Sequence, residues 1–77
     1  MQPPMHSPPN LAEQSIAQNA LIALPEVMMI TGLKTTKIYE MVKQGIFPKK
    51  VRIGPRAVRW VRAEVLSWVD EQIAARR

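Results

Sequence analysis

Two short apolar-periodic helices broken at a glycine, a cationic strand–turn–strand directly after them and a closing amphipathic helix predict a mainly α fold with a small β-hairpin wing, a winged helix-turn-helix. The helix pair lies within Leu24 to Phe47, LPEVMMITGLKTTKIYEMVKQGIF, and breaks at Gly32-Leu33. The strand pair lies between Lys49 and Trp60, and the last helix runs from about Ala63 to Ala75. A chain of 77 residues holds these elements in one domain with a modest core.

Met1 to Asn10 carries Pro3, Pro4, Pro8 and Pro9 among polar residues. Proline blocks helix, and the segment has too little apolar surface to offset the entropy of ordering it. Asn10 and Glu13 resemble a helix start, so a short fraying helix over Leu11 to Asn19 competes with a flexible arm. Residues 1–20 are thus expected to be a disordered or fraying arm, and 21–77 the folded domain.

The run Leu21-Ile22-Ala23-Leu24 either pairs as a small strand or staples onto the core. Pro25 suits a first helical turn, where its missing N–H costs nothing, and Glu26 suits the positive helix end. Val27, Met28 and Ile30 then give one apolar face, Gly32 stops the helix in a left-handed conformation, and Leu33 drops into the core. Thr35 is the expected N-cap of the second helix. Ile38, Met41 and Val42 mark its buried stripe, with Thr36, Lys37, Glu40, Lys43 and Gln44 on the other side. Met28, Met29 and Met41 read as core filler. Gly45 ends this helix, Ile46-Phe47 packs back, and Pro48 prevents continuation.

Val51, Ile53 and Val58 alternate with Lys50, Arg52 and Arg59, the period of half-buried strands. This predicts a hairpin around the turn Gly54-Pro55-Arg56-Ala57, with one apolar and one cationic face. Trp60 is expected beneath it. In the last helix Val65, Leu66, Val69 and Ile73 form the apolar stripe, and Trp68 lies at its edge, as core mass or as an anchor for a base or partner.

Charge is concentrated rather than spread. Nine of the eleven Lys and Arg lie from Lys34 to Arg62, opposed there only by Glu40, while the rest of the chain is net acidic. A localised positive field suits a polyanion partner, although basic residues also serve simply as a solvated face. With no cysteine, disulfides and thiolate zinc sites are excluded. The single histidine, His6, lies in the arm, so no Ser/His/Asp or Cys/His set assembles, and the three glycines fall at turns rather than in a phosphate loop. These observations predict neither enzymatic activity nor a metal or cofactor. No apolar run approaches the roughly 20 residues of a membrane span, and no secretory leader is evident, so a cytoplasmic protein is expected.

Recognition of duplex DNA is what this pattern fits. The N-terminal residues of the second helix in such a motif reach base edges in the major groove, here Thr35, Thr36 and Lys37, with Glu40 one turn on. Lysine donates to guanine, glutamate accepts from cytosine N4, and threonine touches a thymine methyl or a phosphate. Lys34 and Lys43 are placed for phosphates, and Tyr39 either donates to a phosphate or covers the core. Arg52, Arg56 and Arg59 of the wing either track the backbone or enter the minor groove, or are ordinary polar-face residues.

The ordered set Leu24-Pro25-Glu26-Val27, Thr31-Gly32-Leu33, Ile38-Tyr39, Gly45 with Phe47-Pro48, Arg56-Ala57-Val58-Arg59-Trp60, and Glu64-Val65 to Trp68 resembles the AlpA family of prophage and phage regulators. It is similar, more distantly, to excisionases and to the DNA-binding half of MerR-type regulators. The resemblance covers about Leu21 to Ile73. It implies a MerR/excisionase-like winged helix-turn-helix, with DNA contacts by Thr35, Thr36, Lys37 and Tyr39 and by Arg56 and Arg59. It implies a transcription regulator or, alternatively, a recombination directionality factor that bends attachment-site DNA for an integrase. Two departures matter. Val61-Arg62-Ala63 offers no polar cap for the last helix, and Lys34 replaces a position often small and polar, shifting it toward phosphate contact. A monomer in solution, meeting neighbouring copies or an integrase on DNA, is the expected state. A protein-interaction module or inhibitor, whose basic face meets an acidic protein, is the reading from another class.

Overall fold

The computed structural model describes residues 20–76, and the expected helix over 11–19 lies outside them. Six elements follow one another: β1 (Leu21–Ile22), α1 (Leu24–Thr31), α2 (Thr35–Gln44), β2 (Val51–Gly54), β3 (Ala57–Val61) and α3 (Arg62–Ala75). The strands form one antiparallel sheet in the order β1-β3-β2, so β3 is central and β2 is the wing's free edge. This is a winged helix-turn-helix.

Glycine and proline punctuate the helices as their conformations require. Gly32 ends α1 with φ 74°, and its N–H donates to the Met28 carbonyl at 2.8 Å. Gly45 ends α2 with φ 78°; its N–H donates to Val42, and Ile46 N–H reaches back to Met41 at 3.0 Å. That pair of bonds satisfies orphan carbonyls of α2 and reverses the chain tightly. Thr31 secures the turn between the two helices. Its hydroxyl donates to the Val27 carbonyl at 2.8 Å and accepts from Leu33 N–H at 3.2 Å, holding Leu33 against the core.

The core consists of Ile22, Val27, Ile38, Met41, Phe47, Trp60 and Val65, one or two from each of several elements. Trp60 is fully buried and its indole N–H donates to the Pro48 carbonyl at 3.1 Å, so its one polar atom is paired. Trp68 packs edge-on against Phe47 at 4.9 Å, and its N–H donates to the Ile46 carbonyl at 2.9 Å. Trp68 is therefore core mass, clamping the α2–β2 connection to α3.

Several sequence expectations need correcting. Thr35 is the first helical residue of α2, not its cap: Lys34 is extended at φ −91°, and its carbonyl accepts the first helical bond, from Ile38. The Thr35 hydroxyl instead lies 3.5 Å from the Met28 sulfur. Met29 is not core filler but 83% exposed, because it lies two positions from the buried Val27, on the other side of α1. Ile46 rides the outside of the Gly45 reversal while Phe47 enters the core. On α3 the inward direction is set by Val65 and Trp68, three residues apart, which leaves Leu66 and Ile73 exposed.

The hairpin departs most. Val51 pairs with Arg59 and Arg52 with Val58. Directly opposed residues share a face, so the apolar sets of the two strands do not coincide and Arg52 and Arg59 emerge on opposite sides of the ribbon. A register shift between Arg52 and Gly54 leaves Ile53 as the extra, exposed residue. The start of α3 is firmer than its sequence implies. No side chain caps it, but Arg62 N–H donates to the Ala20 carbonyl at 2.8 Å, extending the β1–β3 pairing to cover a free helical donor.

Candidate nucleic-acid interface

The outward side of α2 follows from its inward side. Ile38 is fully buried and Met41 nearly so, fixing the helix's rotation on the core. Thr36, Glu40 and Lys43, spaced by four and three residues, then form an exposed stripe roughly opposite. Lys37 flanks that stripe on one side and Tyr39 on the other, both exposed, and Lys34 and Thr35 stand exposed at the helix start. The structure thus gathers the seven α2-associated candidates, Lys34 to Lys43, onto one helix and its entry.

Tyr39 is where α2 meets the wing. Its ring packs edge-on against Trp60 of β3, centroids 6.1 Å apart with an interplanar angle of 65°. The Lys50 ammonium, immediately before β2, lies 5.2 Å from the centre of the same ring. Tyr39 thus covers the buried Trp60 while keeping 36% of its surface exposed.

In the wing, Arg56 occupies the tip beside Pro55, in a two-residue turn between Gly54 and Ala57, and is exposed. Arg52 is exposed on the same ribbon face as Val58. Arg59 is half-buried on the other face, with its guanidinium Nη1 donating to the Val58 carbonyl at 2.8 Å. The three arginines therefore do not form one cationic surface. The sequence placed Thr31 only in a turn motif and Lys50 only on a cationic strand face, and the hydrogen bonds of the one and the aromatic contact of the other were not foreseen. Thr31 carried a recognisable Thr-Gly turn signal, whereas no spacing rule connects Lys50 with Tyr39, eleven residues earlier.

Acidic groups gather elsewhere. A shallow groove is lined by Phe47, Pro48 and Lys49 of the α2–β2 connection and by Glu64, Ser67 and Glu71 of α3. Among the described residues no group of three or more His, Cys, Asp or Glu could hold a metal ion, and no helix is long and apolar enough to cross a membrane.

A helix-turn-helix with a basic exposed helix and a hairpin beside it defines the class as winged helix-turn-helix proteins. Within that class the chain belongs to the AlpA family: the family model described as prophage CP4-57 regulatory protein (AlpA) matches residues 20–73. The chain is 39% identical over 62 residues to an uncharacterized protein, ORF88, of Enterobacteria phage P4, covering 80% of this chain and 70% of that one. It is 29% identical over 58 residues to the DNA-binding transcriptional activator AlpA of Escherichia coli strain K12, covering 68% of this chain and 83% of that protein. The family is one of regulatory proteins.

Proposed function

We propose that this chain is a phage-type regulator that binds double-stranded DNA sequence-specifically, reading the major groove with α2 and touching the backbone or the adjacent minor groove with the wing. The observation that carries the reading is the exposed α2 stripe of Thr36, Glu40 and Lys43, flanked by Lys37, on a helix whose Tyr39 packs against Trp60 of β3, a strand of the hairpin that turns at Arg56. The E. coli relative named a DNA-binding transcriptional activator supports it. So does the concentration of positive charge between Lys34 and Arg62.

The chemistry follows from side-chain type. Lys37 donates to guanine O6 or N7, Glu40 accepts from cytosine N4, and Thr36 contacts a thymine methyl or a phosphate. Lys34, Lys43 and Arg56 neutralise phosphates and carry most of the sequence-independent affinity. Each good base contact discriminates by roughly 1–3 kcal/mol, while phosphate contacts set register without reading sequence. Arg52 and Arg59, on opposite ribbon faces, are not asked to touch the same strand together.

The test is a selection of bound duplexes from a random pool with the wild-type protein and with the Thr36→Ala/Lys37→Ala variant. The wild type should enrich one motif. The variant should lose that preference while keeping weak binding to unrelated duplex. A wild-type pool with no enriched motif would favour a protein-binding role instead.

A further inference from the structure

We propose that Lys50 is a phosphate-binding residue of the interface, held in place by the ring of Tyr39, and that Tyr39 acts as a positioning residue and not as a donor to DNA. The proposal rests on the DNA-binding reading above and adds to it a contact at the junction of α2 and the wing.

The geometry is a short stack that begins in the core. The Pro48 carbonyl accepts from the indole of Trp60, which is fully buried. Tyr39 packs edge-on against that indole, and Lys50 stands over the tyrosine ring. The backbone leading to Lys50 is thus anchored through Pro48 to the same tryptophan that supports Tyr39. Both ends of the lysine side chain are referred to one rigid group.

The separation of 5.2 Å lies within the range at which an ammonium is attracted to an aromatic face. That attraction leaves the ammonium's outward N–H donors available, because a lysine carries three and the ring is no stoichiometric acceptor. A free lysine loses much rotamer freedom when it settles on a phosphate. Lys50 has lost part of it already, in the folded protein. Its place immediately before β2 lies between the two elements proposed to straddle the duplex. The hydroxyl of Tyr39 has no part in this arrangement; only the ring is needed.

Four variants separate the roles: Tyr39→Phe, Tyr39→Leu, Lys50→Met and the double Tyr39→Leu/Lys50→Met. Affinity for the selected site and for an unrelated duplex is measured from about 50 to about 200 mM salt. Thermal unfolding of each variant by circular dichroism verifies that the fold is kept. Tyr39→Phe should match wild type in affinity and salt slope. Lys50→Met should weaken both duplexes alike and lower the slope by about 0.9, closing its gap to wild type about 3.5-fold over that salt range. Tyr39→Leu should weaken binding in the same sequence-independent way, and the double variant should be no weaker than Lys50→Met alone. Equal losses for Tyr39→Phe and Tyr39→Leu would assign the work to the hydroxyl and overturn the proposal. An unchanged slope for Lys50→Met would overturn it even if Tyr39→Leu failed to fold. A wild type without duplex affinity would remove the underlying reading as well, an outcome visible before any variant is compared.

Discussion

Ile38 sets which side of α2 faces outward, because a helix can bury only one side and this residue is its fully buried point. Truncating it to alanine should cost about 2–5 kcal/mol, as for buried aliphatics generally, read as a lowered midpoint in urea. Against a small domain's stability of about 5 kcal/mol that loss leaves little folded protein, so a mild effect would contradict the burial described. Thr31 is a subtler case. Thr31→Val removes a hydroxyl that serves both the Val27 carbonyl and the Leu33 N–H. The expected cost is about 1–2 kcal/mol in the same experiment, with the volume of the side chain nearly unchanged. At this scale the sequence was only partly legible. Ile38, Met41 and Val65 follow from periodicity, yet Met29, Ile46 and Leu66 are just as apolar and lie exposed. Periodicity nominates more candidates than so small a core can hold, and each helix's rotation is settled by its neighbours rather than by its own pattern.

The boundaries of the elements were much easier to read, since Gly32, Gly45, Pro48 and the Gly54-Pro55 turn each impose a local conformation regardless of tertiary contacts. Gly32 and Gly45 make this testable. A methyl group at either would meet nothing within 4 Å, so Gly32→Ala and Gly45→Ala carry the left-handed backbone penalty without a clash. Each should lose about 1–2 kcal/mol by chemical denaturation. A neutral result at either would mean that the helix ends differently. Pairing between elements was the illegible part. Alternation within each strand correctly suggested a hairpin, but strand faces match only if the register has the right parity. The pairing of Val51 with Arg59, and the bulge at Ile53, depend on how the two-residue turn closes. Likewise the start of α3 lacked a local cap and was completed by Ala20, more than forty residues away in sequence.

For the whole molecule, charge is divided between regions. Most basic residues lie on α2, its flanks and the wing, with Arg62 opening α3, while Glu64, Asp70 and Glu71 lie further along α3. If about six phosphates are neutralised, log K should fall against log salt with a slope of about −5 in a fluorescence titration. Arg56→Ala should reduce that slope by about 1 and weaken all duplexes alike, whereas Glu64→Gln/Glu71→Gln should leave the preferred sequence unchanged.

One proposition underlies all of these: α2 and the wing engage the same duplex. The direct measurement is backbone amide NMR of the labelled protein titrated with its selected duplex. Resonances of Thr36, Lys37, Glu40 and Lys43 should move together with those around Arg56 and at a common stoichiometry, while Glu64 to Glu71 stay nearly still. Perturbations centred on α3, with α2 and the hairpin turn silent, would contradict the account.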